Sequence, residues 1–225
     1  MPMWARLAFA LNIDSEYICM LDDDTIPGIR WIENCLSTIQ KYEGLLGTRG
    51  MKFRSKRSYL LAEDVGWKNP NEETERVDIV GHSWFFRREW LHAFWSEAPP
   101  PEIGKLVGED IHFSYALQKF LNLNTFVPPH PMSNLEYWGS QPAEGLEFGS
   151  SAVGVSLHPE ANERFQVAFR AYVDRGFKLC NESNVLDNAL AWGITQVNHP
   201  QVREKFNSIP ILRRIKTYVR NRLFK

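Results

Sequence analysis

Three consecutive carboxylates, Asp22, Asp23 and Asp24, close the apolar run Tyr17-Ile-Cys-Met-Leu21. Carboxylates set side by side at the end of a buried strand repel one another and lose hydration, so their placement calls for a compensating cation or a solvent-filled crevice. Oxygen atoms crowded in this way suit a hard divalent ion. If strand geometry persists, Asp22 and Asp24 point to one side and Asp23 is opposed to them. A calcium loop fits poorly, because Thr25-Ile-Pro-Gly28 brings no further oxygen ligands at alternating positions. The competing structural reading is that Asp24 caps the next helix while its neighbours are solvated.

A second acidic pair stands in Gly108-Glu109-Asp110-Ile111, which opens a helical pattern. Free amides and the helix dipole stabilise negative charge there, although ordinary first-turn capping is the better explanation of such a pair when it is taken alone.

The elements that must position these groups alternate. Trp4 to Asn12 reads as a short helix and Tyr17 to Leu21 as a strand covered on both faces. A helix from Ile29 to Tyr42 carries Ile29, Ile32, Leu36 and Ile39 at helical spacing, after Pro27 and before Gly44. Leu45 to Glu75 reads as a long irregular excursion with a basic run from Lys52 to Arg57. Strand character returns at Val77–Val80, helix at Arg87–Trp95, helix at Asp110–Leu121, strand at Thr125–Val127 and helix at Pro159–Phe177. This order gives an α/β class with helices on the faces of a sheet, and open sheets of that kind bind ligands beyond the carboxyl ends of their strands.

In order and spacing, the run Tyr17 to Thr25, the run Val77-Asp-Ile-Val-Gly-His-Ser-Trp-Phe-Phe86, and Gly108-Glu-Asp-Ile111 resemble the GT-A nucleotide-sugar glycosyltransferases of the family 2 type. The resemblance spans roughly Met1 to Ser140. It implies a GT-A-like (Rossmann-like) mixed sheet flanked by helices, with Mn²⁺ or Mg²⁺ held against the diphosphate of a UDP- or GDP-sugar. Asp22 and Asp24 would be the metal and ribose-side carboxylates and Asp23 would face the donor sugar. Glu109 and Asp110 would lie beside the acceptor, with Asp110 as the base that takes the proton of its hydroxyl in an inverting member. Retaining relatives leave the role of that acid, and so the stereochemistry, open.

Five further candidates are His130, His158 and Arg6, which the same resemblance brings in, and Trp84 and Trp138, whose aromatic faces suit a sugar ring. His130, in Val127-Pro-Pro-His-Pro131, stands about where related enzymes supply a metal-binding histidine; the alternative is a structural histidine held by the flanking prolines. His158 is a poorer candidate, being further from the matching segment. Arg6 would reach the nucleotide or else be a surface charge. Trp84 and Trp138 are expected to be exposed and to stack on an acceptor sugar, whereas Trp90 and Phe94, four apart on a helix, pack inward.

The acidic triplet comes only 22 residues from Met1, where the resemblance implies that two strand-helix units, of roughly 30 residues each, precede it. The expected organisation is therefore a partial, N-terminally truncated catalytic region over 1–149 and a mainly helical extension over 150–225 packed on it. A transferase acting on a glycan or lipid-linked acceptor is the leading reading. A catalytically inactive remnant that binds carbohydrate or acts as a scaffold is the alternative. A phosphohydrolase also uses clustered aspartates, but no second histidine-rich metal set accompanies them.

Bulk properties narrow the class. Lysine plus arginine number 26 against 27 aspartate plus glutamate, so no overall field favours nucleic acid. Three widely spaced cysteines, Cys19, Cys35 and Cys180, suit a reducing compartment and read as small buried apolar residues. No apolar run approaches the roughly 20 residues that span a bilayer, so the expected location is cytoplasmic. The basic, amphipathic end from Leu212 to Lys225 would suit peripheral contact with an anionic membrane surface, against the simpler reading of a solvated terminal helix.

Overall fold

The apolar run before the triplet forms β1 (Tyr17–Leu21), fed by the short helix α1 (Ala5–Ala10). The computed structural model describes residues 4–67, 69–103, 107–141 and 160–181. After the triplet come α2 (Trp31–Lys41), β2 (Gly44–Leu46), β3 (Arg49–Phe53) and β4 (Ala62–Gly66). These lead to β5 (Glu75–Val77), β6 (Ile79–Gly81), β7 (Ser83–Arg87) and α3 (Leu91–Ser96). Then follow α4 (Glu109–Leu121), β8 (Asn124–Val127) and α5 (Ala161–Asp174).

The fold is mixed α/β. A five-stranded sheet runs β1-β7-β2-β8-β5 and a three-stranded sheet runs β4-β3-β6. Only β2 and β8 pair in parallel; the other described pairings are antiparallel. β7 lies between β1 and β2, which explains its unbroken apolar text: Trp84, Phe85 and Phe86 are all buried. Phe86 meets Phe113 of α4 edge to face at 4.9 Å, so the helix that opens with the acidic pair is seated directly on the strand beside β1.

Several expectations change. The stretch from Leu45 to Glu75 is not irregular; it holds β2, β3 and β4 and the start of β5. These strands are short, and β4 reads Ala-Glu-Asp-Val-Gly, with too few apolar residues to show a period. In α2 the buried face is Trp31, Asn34, Cys35, Thr38 and Ile39, while Ile29, which precedes the helix, is 87% exposed. Asn34 is drawn inward because its amide donates to the carbonyls of Pro129 and Tyr137. β1 is not covered on both faces: among the described residues it is an edge strand, with Cys19 and Leu21 exposed. Of the cysteines only Cys35 is fully buried.

The described part of the 150–225 extension, residues 160–181, packs against the rest. α5 lays Phe169 on Phe53 and Tyr59, and Gln166 and Arg170 bond the loop between β3 and β4. His158 and the basic tail from Leu212 lie outside the described residues. Among the described residues no helix is long and apolar enough to cross a membrane.

His112 joins α3, α4 and α5. Its Nε2 donates to the Phe94 carbonyl at 2.8 Å, since a carbonyl can only accept, and its Nδ1 accepts the Tyr172 hydroxyl at 2.7 Å. Burial pushes this imidazole down to about 4, so it is neutral in the fold. Because the folded value lies below the ordinary 6.5, the stabilisation it gives at neutral pH is lost as pH falls from 6.5 towards 4. Denaturant unfolding of wild type and His112→Gln at several pH values should therefore show the wild type losing up to about 3 kcal/mol relative to the variant across that window. Parallel pH curves would mean that His112 is not held neutral.

Candidate metal centre and the adjoining acidic pair

The site begins where β1 ends. The Asp22 amide donates to the His82 carbonyl at 3.0 Å, the Thr25 amide to the Asp22 carbonyl at 3.1 Å, and the Thr25 hydroxyl to the His82 carbonyl at 2.8 Å. The triplet thus leaves the strand as a turn, tied to the short connection between β6 and β7. His82 has φ 64°, a left-handed conformation that a non-glycine residue takes only when its surroundings impose it. Here the imposed feature is the passage of the chain from the small sheet to the large one.

That turn brings side chains together. Asp22, Asp24 and His82 each present a ligand atom, and these atoms lie within 4.8 Å of one another. His82 Nδ1 is 3.9 Å from Asp24 Oδ1, and the Trp67 ring stands 4.3 Å from the imidazole. Two carboxylate oxygens and an imidazole nitrogen, from three partly exposed residues, form a donor set that suits a first-row divalent ion or Mg²⁺. Asp23 faces solvent. Asp24 caps no helix, because Arg30 is the residue flanking α2.

Arg6 links this cluster to the second acidic pair. One guanidinium nitrogen donates to Asp22 Oδ1 at 2.5 Å and the other to Glu109 Oε1 at 2.9 Å, while the guanidinium lies 4.1 Å above the Trp84 ring. Burial raises the Asp22 carboxyl above its ordinary value, and Arg6 opposes the rise. Glu109 is raised for the same reason and held back by the same residue. Asp110 is pushed up to about 7 by burial and then by the neighbouring Glu109 charge. Gly108, at φ 84°, makes the turn that lets α4 start with these two carboxylates, and Asp110 accepts from the Ile111 amide at 2.7 Å.

Three expected positions are corrected. His130 is fully buried: its Nε2 accepts from the Gly139 amide, so Nδ1 carries the proton and donates to the Pro128 carbonyl. Neither nitrogen is left for a metal, and burial pushes the imidazole down to about 4. Trp138 is 1% exposed and donates to the Pro131 carbonyl; Trp84 is 4% exposed under Arg6. Neither can offer its face to a sugar. His130 and Trp138 instead brace the loop after β8 against the loop after the triplet, where Gly28 donates to the Trp138 carbonyl and Gln141 to that of Ile26.

His82 is the residue that the sequence reasoning passed over as a ligand. The available signal was its place, a polar residue between the apolar runs Ile79-Val80 and Ser83–Phe86 in a segment already singled out. Compared with known proteins, the chain matches no family model, and no curated protein matches it significantly.

The two histidines should separate in experiment. His82→Ala is expected to weaken Mn²⁺ binding by about tenfold or more, as loss of a ligand does, at little cost in stability. His130→Ala should cost about 2–4 kcal/mol of folding stability yet leave the Mn²⁺ affinity of the folded protein within about threefold. Calorimetry and denaturant unfolding on the same samples check both; the opposite assignment of effects would return His130 to the metal.

Proposed function

We propose that this chain carries the metal-and-diphosphate site and the acidic pair of a GT-A nucleotide-sugar glycosyltransferase, moving a sugar from a UDP- or GDP-sugar to the hydroxyl of a glycan or lipid-linked acceptor. One observation carries the reading: Asp22, Asp24 and His82 converge, and Arg6 joins that cluster to Glu109, the neighbour of Asp110. The likeness of the three motifs to the family supplies the reaction type; the geometry supports it by putting distant carboxylates at one rim.

The residues divide the work. Asp22, Asp24 and His82 would hold Mn²⁺ or Mg²⁺, which when bound would offset the charge of the departing diphosphate. Asp110 accepts the proton of the acceptor hydroxyl as that oxygen bonds to the anomeric carbon, and the bond from that carbon to the diphosphate oxygen breaks with its electron pair going to the diphosphate. A carboxyl raised to about 7 is a competent base near neutrality, where an ordinary aspartate is too weak. Burial of Trp84 and Trp138 removes the stacking platform that either a transferase or a carbohydrate-binding remnant would have used, and the raised Asp110 carboxyl, which a remnant would not need, favours the catalytic reading.

Titrating the protein with UDP in the presence of Mn²⁺ should give metal-dependent binding that Asp24→Ala abolishes; unchanged binding in that variant would remove the metal role. Asp110→Asn should keep this binding and lose about 10²–10⁴-fold in transfer, the usual span for a missing general base. Because the base must be ionised, transfer by the wild type should rise with pH through about 7. A flat profile, or full activity in Asp110→Asn, would take the base role away from this residue.

A further inference from the structure

We propose that Arg6 is a built-in counter-ion of the cation site, whose guanidinium holds Asp22 while no metal is bound and gives up that one carboxylate to an arriving divalent cation, keeping its grip on Glu109. The inference rests on the reading of Asp22, Asp24 and His82 as cation ligands.

The geometry sets up a competition. Arg6 and the cation would use the same side chain, and Arg6 is already 2.5 Å from Asp22 Oδ1. A cation bonded to that carboxylate at about 2.1 Å would put two positive charges only about 4–5 Å apart, which is unfavourable in a partly buried site. A guanidinium is a permanent cation in proteins, so only its position can change. It has to move.

Its surroundings let it move by a small amount only. Trp4, Leu7 and Ala10 are buried, so α1 fixes the backbone of Arg6. The second nitrogen is anchored on Glu109, which is 7% exposed, and the flat face rests on Trp84. Among the described residues the Nε of Arg6 has no hydrogen-bond partner, so the group is held by its two terminal nitrogens and can pivot about the Glu109 contact over the indole ring. Release of Asp22 then transfers the whole cation to Glu109, next to Asp110. One side chain thereby stabilises the empty site, lowers its affinity for metal, and reports metal binding to the acidic pair.

A role that is purely structural predicts something different. Removing a brace weakens folding and weakens or leaves unchanged the binding of metal, whereas removing a competitor strengthens it. The test is Mn²⁺ titration, without nucleotide, of the full chain as wild type, Arg6→Gln and Arg6→Lys. Arg6→Gln should bind Mn²⁺ about tenfold or more tightly than wild type, and Arg6→Lys, which keeps the charge, should stay near wild type. Wild-type protein gives an independent readout: the rate at which phenylglyoxal modifies Arg6, mapped by mass spectrometry, should rise by about threefold or more when Mg²⁺ is added. Should Arg6→Gln not fold, this second measurement decides.

Equal or weaker Mn²⁺ binding by folded Arg6→Gln, or an Arg6 modification rate indifferent to Mg²⁺ at a concentration that saturates the site, overturns the proposal and leaves the cation site standing. Absence of Mn²⁺ binding in both wild type and folded Arg6→Gln removes the cation site itself, and the proposal with it.

Discussion

Like-charge crowding governs this molecule. Asp22 and Asp24 are joined through Arg6 to Glu109, whose neighbour on α4 is Asp110, and burial raises the carboxyls of Asp22, Glu109 and Asp110. Carboxylates brought this close lose hydration and repel each other, so an unrelieved cluster would be costly. Relief comes from a planar cation able to meet two carboxylates at once: Arg6 touches Asp22 and Glu109, from segments 103 residues apart at their furthest. That arrangement requires α1, the end of β1 and the start of α4 to be fixed relative to one another, and the aromatic packing of Trp4, Phe86, Phe94 and Phe113 does this.

His82 is the joint through which the two sheets meet the site. β6 belongs to the small sheet and β7 to the large one, so the residue between them must turn sharply, and its left-handed backbone is the form that turn takes. Its carbonyl holds the Asp22 amide and the Thr25 hydroxyl, which shapes the acidic turn. Its imidazole then stands beside Asp24. Backbone geometry and ligand position are set by the same residue, so a change in how the sheets join would be felt directly at the cluster.

What could be read from the residues alone was local. An apolar run followed at once by three aspartates gave β1 and its turn, and a glycine followed by two acids gave the start of α4, because both signals lie within a few residues. The strands between Leu45 and Glu75 leave little trace in the sequence because each is three to five residues long: β2 is only Gly-Leu-Leu, and β3, β4 and β5 carry charged residues that break any apolar period. Trp84 reads as an exposed ring from the sequence; its burial depends on β7 being sandwiched between β1 and β2, a pairing across more than 35 residues on either side. The place of His82 beside Asp24 depends in the same way on which strands are neighbours.

The contrast between the two histidines follows from lone pairs. Coordination needs an unprotonated ring nitrogen with its lone pair directed at the ion. In His130 that nitrogen, Nε2, accepts from the Gly139 amide, and giving it to a metal would strand a buried N–H at a cost of about 1–3 kcal/mol. The other nitrogen carries the proton that satisfies the Pro128 carbonyl. At His82, Nδ1 and Asp24 Oδ1 are 3.9 Å apart, too far for a hydrogen bond. That gap is shorter than the sum of two metal–ligand bonds of about 2.1 Å each, so one ion can reach both atoms. Imidazole chemistry is therefore spent on packing at His130 and is aimed at the acidic cluster at His82.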